Sequence, residues 1–285
     1  MAVLEQYEAD VETIRSKRHD NGADFWATPD GRWGTGSPFS TFDCIVLLTE
    51  VGLERSDPIL RGAGTVLFDT WREDGRFRPA PKATMYPCHT ANAVRALCRL
   101  GHVRDRRIQR SFEHLASTQA EDGGWRCNTM RLGKSPTTDA SNPGVTLSVL
   151  DGLRFRPPGE RGERVDAAVG TLLAHWNTRT PLGPCAFGIG SRFAKTEYPF
   201  LRYNLFFYVY VLSFFEAARR SPEFQAALGA LEEKLVGDQL VVESPNRRLA
   251  KLAFCRKGEP SLLATVRYAE IRQNVALDRP DPESP

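Results

Sequence analysis

Gln119-Ala120-Glu121-Asp122-Gly123-Gly124-Trp125 carries the signature that organises this chain. Its core, Asp-Gly followed closely by an aromatic residue, occurs three times: Asp30-Gly31-Arg32-Trp33, Asp74-Gly75-Arg76-Phe77 and Asp122-Gly123-Gly124-Trp125. The first two copies lie 44 residues apart and the next two 48. Gly237-Asp238-Gln239-Leu240 reads as a worn fourth copy. Self-similarity at this period marks a repeat architecture, in which each unit is one small packet of secondary structure.

Working outward, the segments on both sides of the signature are helical. Ile108, Phe112 and Leu115 fall at i, i+4 and i+7, one face of a helix. Ile59, Ala63, Val66, Leu67 and Thr70 do the same, as do Leu4, Tyr7, Val11 and Ile14. Two later segments match: Val165, Val169, Leu172, Leu173 and Trp176, then Phe224, Leu228, Leu231 and Leu235. Their charged backs suit an outer surface. A second helix type alternates with them. Phe42 to Leu48, Val145 to Leu153 and Leu205 to Phe215 are apolar nearly all round, as helices buried on every side must be. The chain reads as outer helix, Asp-Gly turn, inner helix, repeated about five times. Such pairs cannot bury their faces alone and must stack on neighbours. They either close into a ring around a central cavity or stay open as a solenoid.

The turn at Gln119–Trp125 resembles the QW motif of squalene-hopene and oxidosqualene cyclases, with Arg110, Phe112 and Leu115 fitting its upstream half. Tyr86-Pro87-Cys88-His89-Thr90-Ala91-Asn92-Ala93-Val94-Arg95-Ala96-Leu97 is similar to inner-helix starts of the same superfamily, which includes protein prenyltransferase β-subunits. The resemblance covers roughly residues 20 to 275. It implies an all-α fold, the α/α-toroid (α/α barrel), here of about five helical hairpins with a central cavity. The expected organisation is one toroid domain over residues 1–275 and a disordered tail over 276–285. The motif itself is structural, since it ties an outer helix's end to the next turn.

Composition agrees with a mainly helical globular protein. Of 285 residues, 41% are hydrophobic, enough for one sizeable core. A net charge of +3 is too small to argue for nucleic acid. Arg104-Asp105-Arg106-Arg107 and Arg247-Arg248 are local clusters of the kind that line a solvated helix face. Met1-Ala2-Val3-Leu4-Glu5 lacks the basic start and apolar core of a signal peptide. The most apolar run, Leu205 to Phe215, is too short to span a bilayer. Six cysteines at irregular spacing suit a reducing compartment. The expectation is a cytoplasmic protein with no integral membrane segment, acting on a hydrophobic small molecule.

In a toroid all inner helices run the same way, so their N-terminal ends meet at one rim. That rim would gather Asp43 and Cys44, Cys88 and His89, Asp139 and Asn142, and Arg202, Tyr203 and Asn204. Cys127 and Cys185 sit in loops leading to it. The resemblance to prenyltransferase β-subunits implies a zinc reading. His89-Thr90 resembles that family's His-Thr, and Asp43-Cys44 its Asp-x-Cys with the intervening residue missing. Asp43, Cys44, Cys88 and His89 would be the ligands, of types zinc accepts. The alternative is that the two thiols are small buried hydrophobes, with Asp43 and His89 at helix caps.

The cyclase resemblance implies carbocation chemistry. The Asp-x-Asp-Asp acid of class II cyclases and the Asp-Asp-x-x-Asp metal motif of class I enzymes are both absent. Asp139 is then the nearest single candidate for a general acid, if burial raises its pKa; its alternative role is to cap the next helix. Tyr203, Phe207, Tyr210 and Phe214 form one helical stripe, and aromatic faces can stabilise cations or simply fill a core. The expected catalytic group is Asp139, His89, Asp43 and Cys88. The expected substrate contacts are Asn142, Arg202, Tyr203, Phe207, Tyr210, Phe214 and Trp125. The function implied by the resemblance is a terpene cyclase- or prenyltransferase-like enzyme acting on an isoprenoid or other hydrophobic molecule in a central aromatic cavity. The rival is a non-catalytic carrier using the same cavity.

Overall fold

Each copy of the Asp-Gly signature folds into the same turn. The N–H groups of Thr28, Arg72 and Ala120 donate to the carbonyls of Arg32, Arg76 and Gly124, at 3.2, 2.8 and 2.9 Å. The glycines donate back, Gly31 to Thr28, Gly75 to Arg72 and Gly123 to Ala120. All three have left-handed φ, +77°, +87° and +90°, which a residue with a Cβ adopts only under strain. Two are also hemmed in: a Cβ on Gly75 would lie 2.6 Å from the Arg110 carbonyl oxygen, and one on Gly123 2.5 Å from that of Ala167. The turn after one outer helix therefore presses on the backbone of the next outer helix.

The aromatic that ends the turn ties it to the inner helix that follows. The N–H of Phe77 donates to Thr90 Oγ1 at 3.2 Å and that of Trp125 to Thr146 Oγ1 at 3.1 Å. The Leu240 N–H donates to Thr265 Oγ1 at 3.0 Å in the same way, so the worn fourth copy keeps its place. Trp125 Nε1 reaches back to the Leu115 carbonyl at 2.7 Å, and Gln119 Nε2 spans the Gly123 and Arg164 carbonyls. Trp125 thereby ties the end of the preceding outer helix to the turn.

The computed structural model describes residues 5–127 and 135–277; the tail expected to be disordered lies, over 278–285, outside the described residues. The helices are α1 (Glu8–Ser16), α2 (Thr41–Glu50), α3 (Pro58–Phe68), α4 (Pro87–Arg99), α5 (Arg106–Ser117), the single turn α6 (Pro136–Asp139), α7 (Pro143–Leu153), α8 (Val165–Thr178), α9 (Leu205–Leu212), the single turn α10 (Glu216–Arg219), α11 (Pro222–Glu232) and α12 (Leu262–Ala276). Two-residue strands β1 (Leu235–Val236) and β2 (Gln239–Leu240) pair antiparallel around the fourth turn. Three boundaries differ from the periodicity. α9 stops at Leu212, so Phe214 and Phe215 lie past its end; Leu235 belongs to the hairpin; and α12 runs to Ala276.

The fold is all-α, with α1, α3, α5, α8 and α11 outside and α2, α4, α7, α9 and α12 inside. Each inner helix packs on the next in chain order. Cys88 and Asn92 near the start of α4 line one cavity with Gly144 and Val145 near the start of α7, and Arg95 pairs with Asp151 further along both, so α4 and α7 run parallel. The ring closes where Arg267 of α12 meets Glu50 of α2 at 2.8 Å. Outside it, the Asp10 carboxylate of α1 accepts from the Ala253 and Phe254 N–H groups near the far end of the chain. Among the described residues, no helix is long and apolar enough to cross a membrane.

Candidate active site

Residues near the N-terminal ends of α2, α4, α7 and α9 line neighbouring cavities, whereas Leu263 near the start of α12 lines a third. The caps of these helices are Ser40, Asn142, Asn204 and Ser261, whose side chains accept from the N–H groups of Asp43, Val145, Phe207 and Ala264. At α4 the arrangement is reversed: the Tyr86 N–H donates to His89 Nδ1 at 3.2 Å. These bonds satisfy donors that a helix start leaves open.

Two of these cavities lie side by side at one rim, sharing Asn92 and Leu201. The first, about 520 Å³, is walled by α4, α7, Phe207 of α9 and the loop before α9. Its aromatic surface comes from Phe187, Phe193, Tyr203 and Phe207, its polar surface from Cys88, Cys127, Cys185, Arg95, Arg192, Glu197 and Arg202. The second, about 530 Å³, is lined by Trp33, Phe42, Asp43, Tyr86 and His89 among others.

Glu197 is a candidate site residue that periodicity does not reveal. It is 7% exposed, lines the first cavity and has Arg202 Nε at 3.6 Å. Burial raises its carboxyl pKa, with Arg202 opposing only in part. The residue sits in a loop. The only sequence signal was a lone acid directly before an aromatic-Pro-aromatic run, Tyr198-Pro199-Phe200. In the second cavity burial likewise raises Asp43, against the hydrogen bond that Ser40 Oγ donates to its carboxylate at 2.8 Å. His89 is shifted down by burial and is neutral at physiological pH, with Nδ1 as an acceptor.

The remaining expected residues separate. Asp43 and His89 share one cavity while Cys88 faces the other. Cys44 is wholly buried in the core and its thiol is pushed well up by burial. The zinc set of Asp43, Cys44, Cys88 and His89 is therefore not assembled. Among the described residues, no group of three or more His, Cys, Asp and Glu is placed to hold a metal ion. Cys88 and His89, neighbours at the start of α4, face different cavities, which spacing along the chain does not reveal. Asp139 ends α6, its carbonyl accepts from Arg126 Nε at 2.8 Å, and it lies outside both cavity linings. Asn142, not Asp139, caps α7, and its buried Nδ2 has no hydrogen-bond partner. Trp125 is held in the turn and faces neither cavity.

The stripe Tyr203, Phe207, Tyr210 and Phe214 does not line one continuous cavity. Tyr203 and Phe207 face the first cavity, whereas Tyr210 faces another, of about 800 Å³, at the opposite rim. Phe214 packs edge-on against Tyr210. Between the rims the ring is filled. The loop before α9 dives inward, and Phe200 stacks on both Phe207 and Tyr210 at 5.4 and 4.6 Å. Arg95 donates to the Phe200 carbonyl at 2.9 Å and to Asp151 at 2.7 Å. Arg154 holds Asp151 at 2.6 Å, Arg99 holds Glu50, and Tyr198 Oη donates to Glu50 at 2.7 Å. Burial alone would raise these carboxyls, but the surrounding guanidiniums win, holding Glu50 down at about 2 and Asp151 far below the usual carboxylate range. One apolar central cavity is thus replaced by two rims separated by a buried ionic layer.

Among known proteins, the chain is 28% identical over 126 residues to a squalene-hopene cyclase of Bradyrhizobium diazoefficiens. That match covers 40% of this chain and 18% of the relative. No family profile matches. In structure the chain is similar to a type II terpene cyclase from Scytonema solved with its product, merosterolic acid A, at 13% identity and TM-score 0.45, covering 96% of this chain and 81% of that one. The same enzyme solved with its substrate, geranylgeranyl dihydroxybenzoate, aligns at 15% identity and TM-score 0.44, covering 94% and 80%. In sequence, then, the chain resembles a small part of a terpenoid cyclase.

Proposed function

We propose that this protein is a terpene cyclase-like enzyme that binds an isoprenoid or similar alkene in the first rim cavity and starts its reaction by protonation. The observation that carries this reading is Glu197, a buried carboxyl with a raised pKa facing an aromatic-lined cavity. At about 520 Å³ the cavity falls in the range of roughly 300–1,000 Å³ usual for small-molecule sites. The match to squalene-hopene cyclase supports the same class of chemistry.

The proton of Glu197 would pass to one alkene carbon. The π bond breaks, a C–H bond forms and the neighbouring carbon becomes cationic. The Phe187, Phe193, Tyr203 and Phe207 rings offer that cation their negative faces. The carboxylate left behind is stabilised by Arg202 and recovers a proton when the final cation loses one. Arg95, behind Phe207, is neutralised by Asp151 and so adds little repulsion. Asp43 and His89, lining the adjoining cavity, are the second acid and base to examine.

The test is incubation of the purified protein with linear polyprenoids and product analysis by mass spectrometry, alongside Glu197→Gln. Cyclised product from the parent chain and none from the variant, with isoprenoid binding retained in both, is expected. Equal turnover by the variant removes Glu197 from the acid role. Binding without product in the parent chain favours the carrier.

A further inference from the structure

Six cysteines are free, and three of them meet although they come from distant parts of the chain. Cys88 opens α4, Cys127 follows the third Asp-Gly turn, and Cys185 sits in the loop closed by the Leu182–Phe187 bridge. Cys127 Sγ lies 3.6 Å from Cys185 Sγ, and the Cys127 thiol hydrogen-bonds the Cys88 sulfur. All three line the first rim cavity. Cys44, Cys98 and Cys255 are buried in the core and take no part.

The three thiols are not equivalent. The hydrogen bond from Cys127 lowers the Cys88 pKa despite burial, and the backbone N–H groups at the start of α4 add to this. Cys127 is pushed up by sharing its proton with Cys88. Burial and the neighbouring Cys127 lift Cys185 to about 11. The thiolate is the reactive form of cysteine, so oxidation begins at Cys88. Cys185 is the most exposed of the three and its loop is anchored, the Gly183 N–H donating to the Thr137 carbonyl at 2.9 Å.

We propose that Cys88, Cys127 and Cys185 form a thiol–disulfide relay, driven by a hydroperoxide, that ends in a Cys127–Cys185 bond tethering two loops beside the rim cavity. The Cys88 thiolate attacks a hydroperoxide oxygen: the S–O bond forms, the O–O bond breaks, and water (or an alcohol) leaves after taking a proton. Cys127 then attacks the resulting sulfenic sulfur. The S–S bond forms, the S–O bond breaks and a second water leaves, carrying the thiol proton. Cys185 as thiolate attacks the Cys127 sulfur and releases Cys88 as thiolate, so the peroxide's two electrons have come from Cys127 and Cys185. This inference does not depend on which reaction the cavity catalyses.

The test treats the purified protein with hydrogen peroxide, blocks remaining thiols with N-ethylmaleimide and maps peptides by mass spectrometry. A Cys127–Cys185 crosslink is expected, with Cys44, Cys98 and Cys255 reduced. Cys88→Ser should slow that crosslink at least about tenfold, because the thiolate that starts the relay is gone. Should the variant not fold, the unmodified chain still decides: iodoacetamide should label Cys88 faster than Cys185 at neutral pH. Over-oxidation of Cys88 with no crosslink, an unchanged rate in Cys88→Ser, or faster labelling of Cys185 overturns the relay.

Discussion

Arg95 and Asp151 meet at 2.7 Å in the middle of the ring, both wholly surrounded by protein. Asp151 also holds Arg154, with Arg99 at 3.9 Å, so its removal would strand several guanidiniums away from water. Asp151→Ala is expected to cost about 3–5 kcal/mol, the usual penalty for breaking a buried pair from one side. Replacing both partners, Arg95→Met with Asp151→Leu, should recover part of that loss. Urea unfolding of the two variants beside the parent measures it.

Acid should weaken the fold through the same layer. The folded pKa of Glu50 is depressed from 4.5 to about 2, so its stabilisation is fully present above its unfolded pKa. It is lost as the pH falls from about 4.5 toward 2, because the unfolded chain then binds the proton first. Asp151 contributes with the same sign. Thermal melts should decline as the pH falls below about 4.5, and Glu50→Gln should show a shallower decline over that range.

The turn glycines should differ in tolerance. Gly31 has open space around its missing Cβ, so Gly31→Ala meets only the left-handed penalty of about 1–2 kcal/mol. At Gly123 the added methyl would also strike the Ala167 carbonyl, so Gly123→Ala should lower the melting temperature further. Equal shifts would show that the turn does not press on α8 as described.

His175 links the ring wall to the first cavity. Its Nε2 lies 3.0 Å from the Thr180 carbonyl, which can only accept, so Nε2 carries the proton. Nδ1 then accepts from Tyr203 Oη at 2.9 Å. Tyr203→Phe leaves that buried nitrogen unsatisfied and should cost about 1–3 kcal/mol. Nitrogen-15 NMR of the imidazole should report the Nε2–H tautomer.

Glu197 should leave a signature in both activity and stability. As the acid it must be protonated, so turnover should fall as pH rises through its raised pKa. A raised folded pKa also means that stability present below the unfolded value is lost as pH climbs through the folded one. Glu197→Gln should thus melt at or above the parent temperature at pH 7 while making no product. A variant that is both inactive and less stable would point to a structural role.

The sequence by itself determined the helical repeat. Helix faces follow from a 3.6-residue period, and the turns from glycines that must take positive φ; both are local properties, legible along a few residues. The tertiary structure alone decided what the residues at the inner-helix starts face. Glu50 draws its partners from 49, 148 and 217 residues away, and only the assembled ring brings Arg99, Tyr198 and Arg267 to it together. The plug at Phe200, the acid at Glu197 and the meeting of Cys127 with Cys185 all come from an aperiodic loop or from pairs of loops. Their positions are set by the space left between helices, a property of the assembled ring that no window of sequence contains.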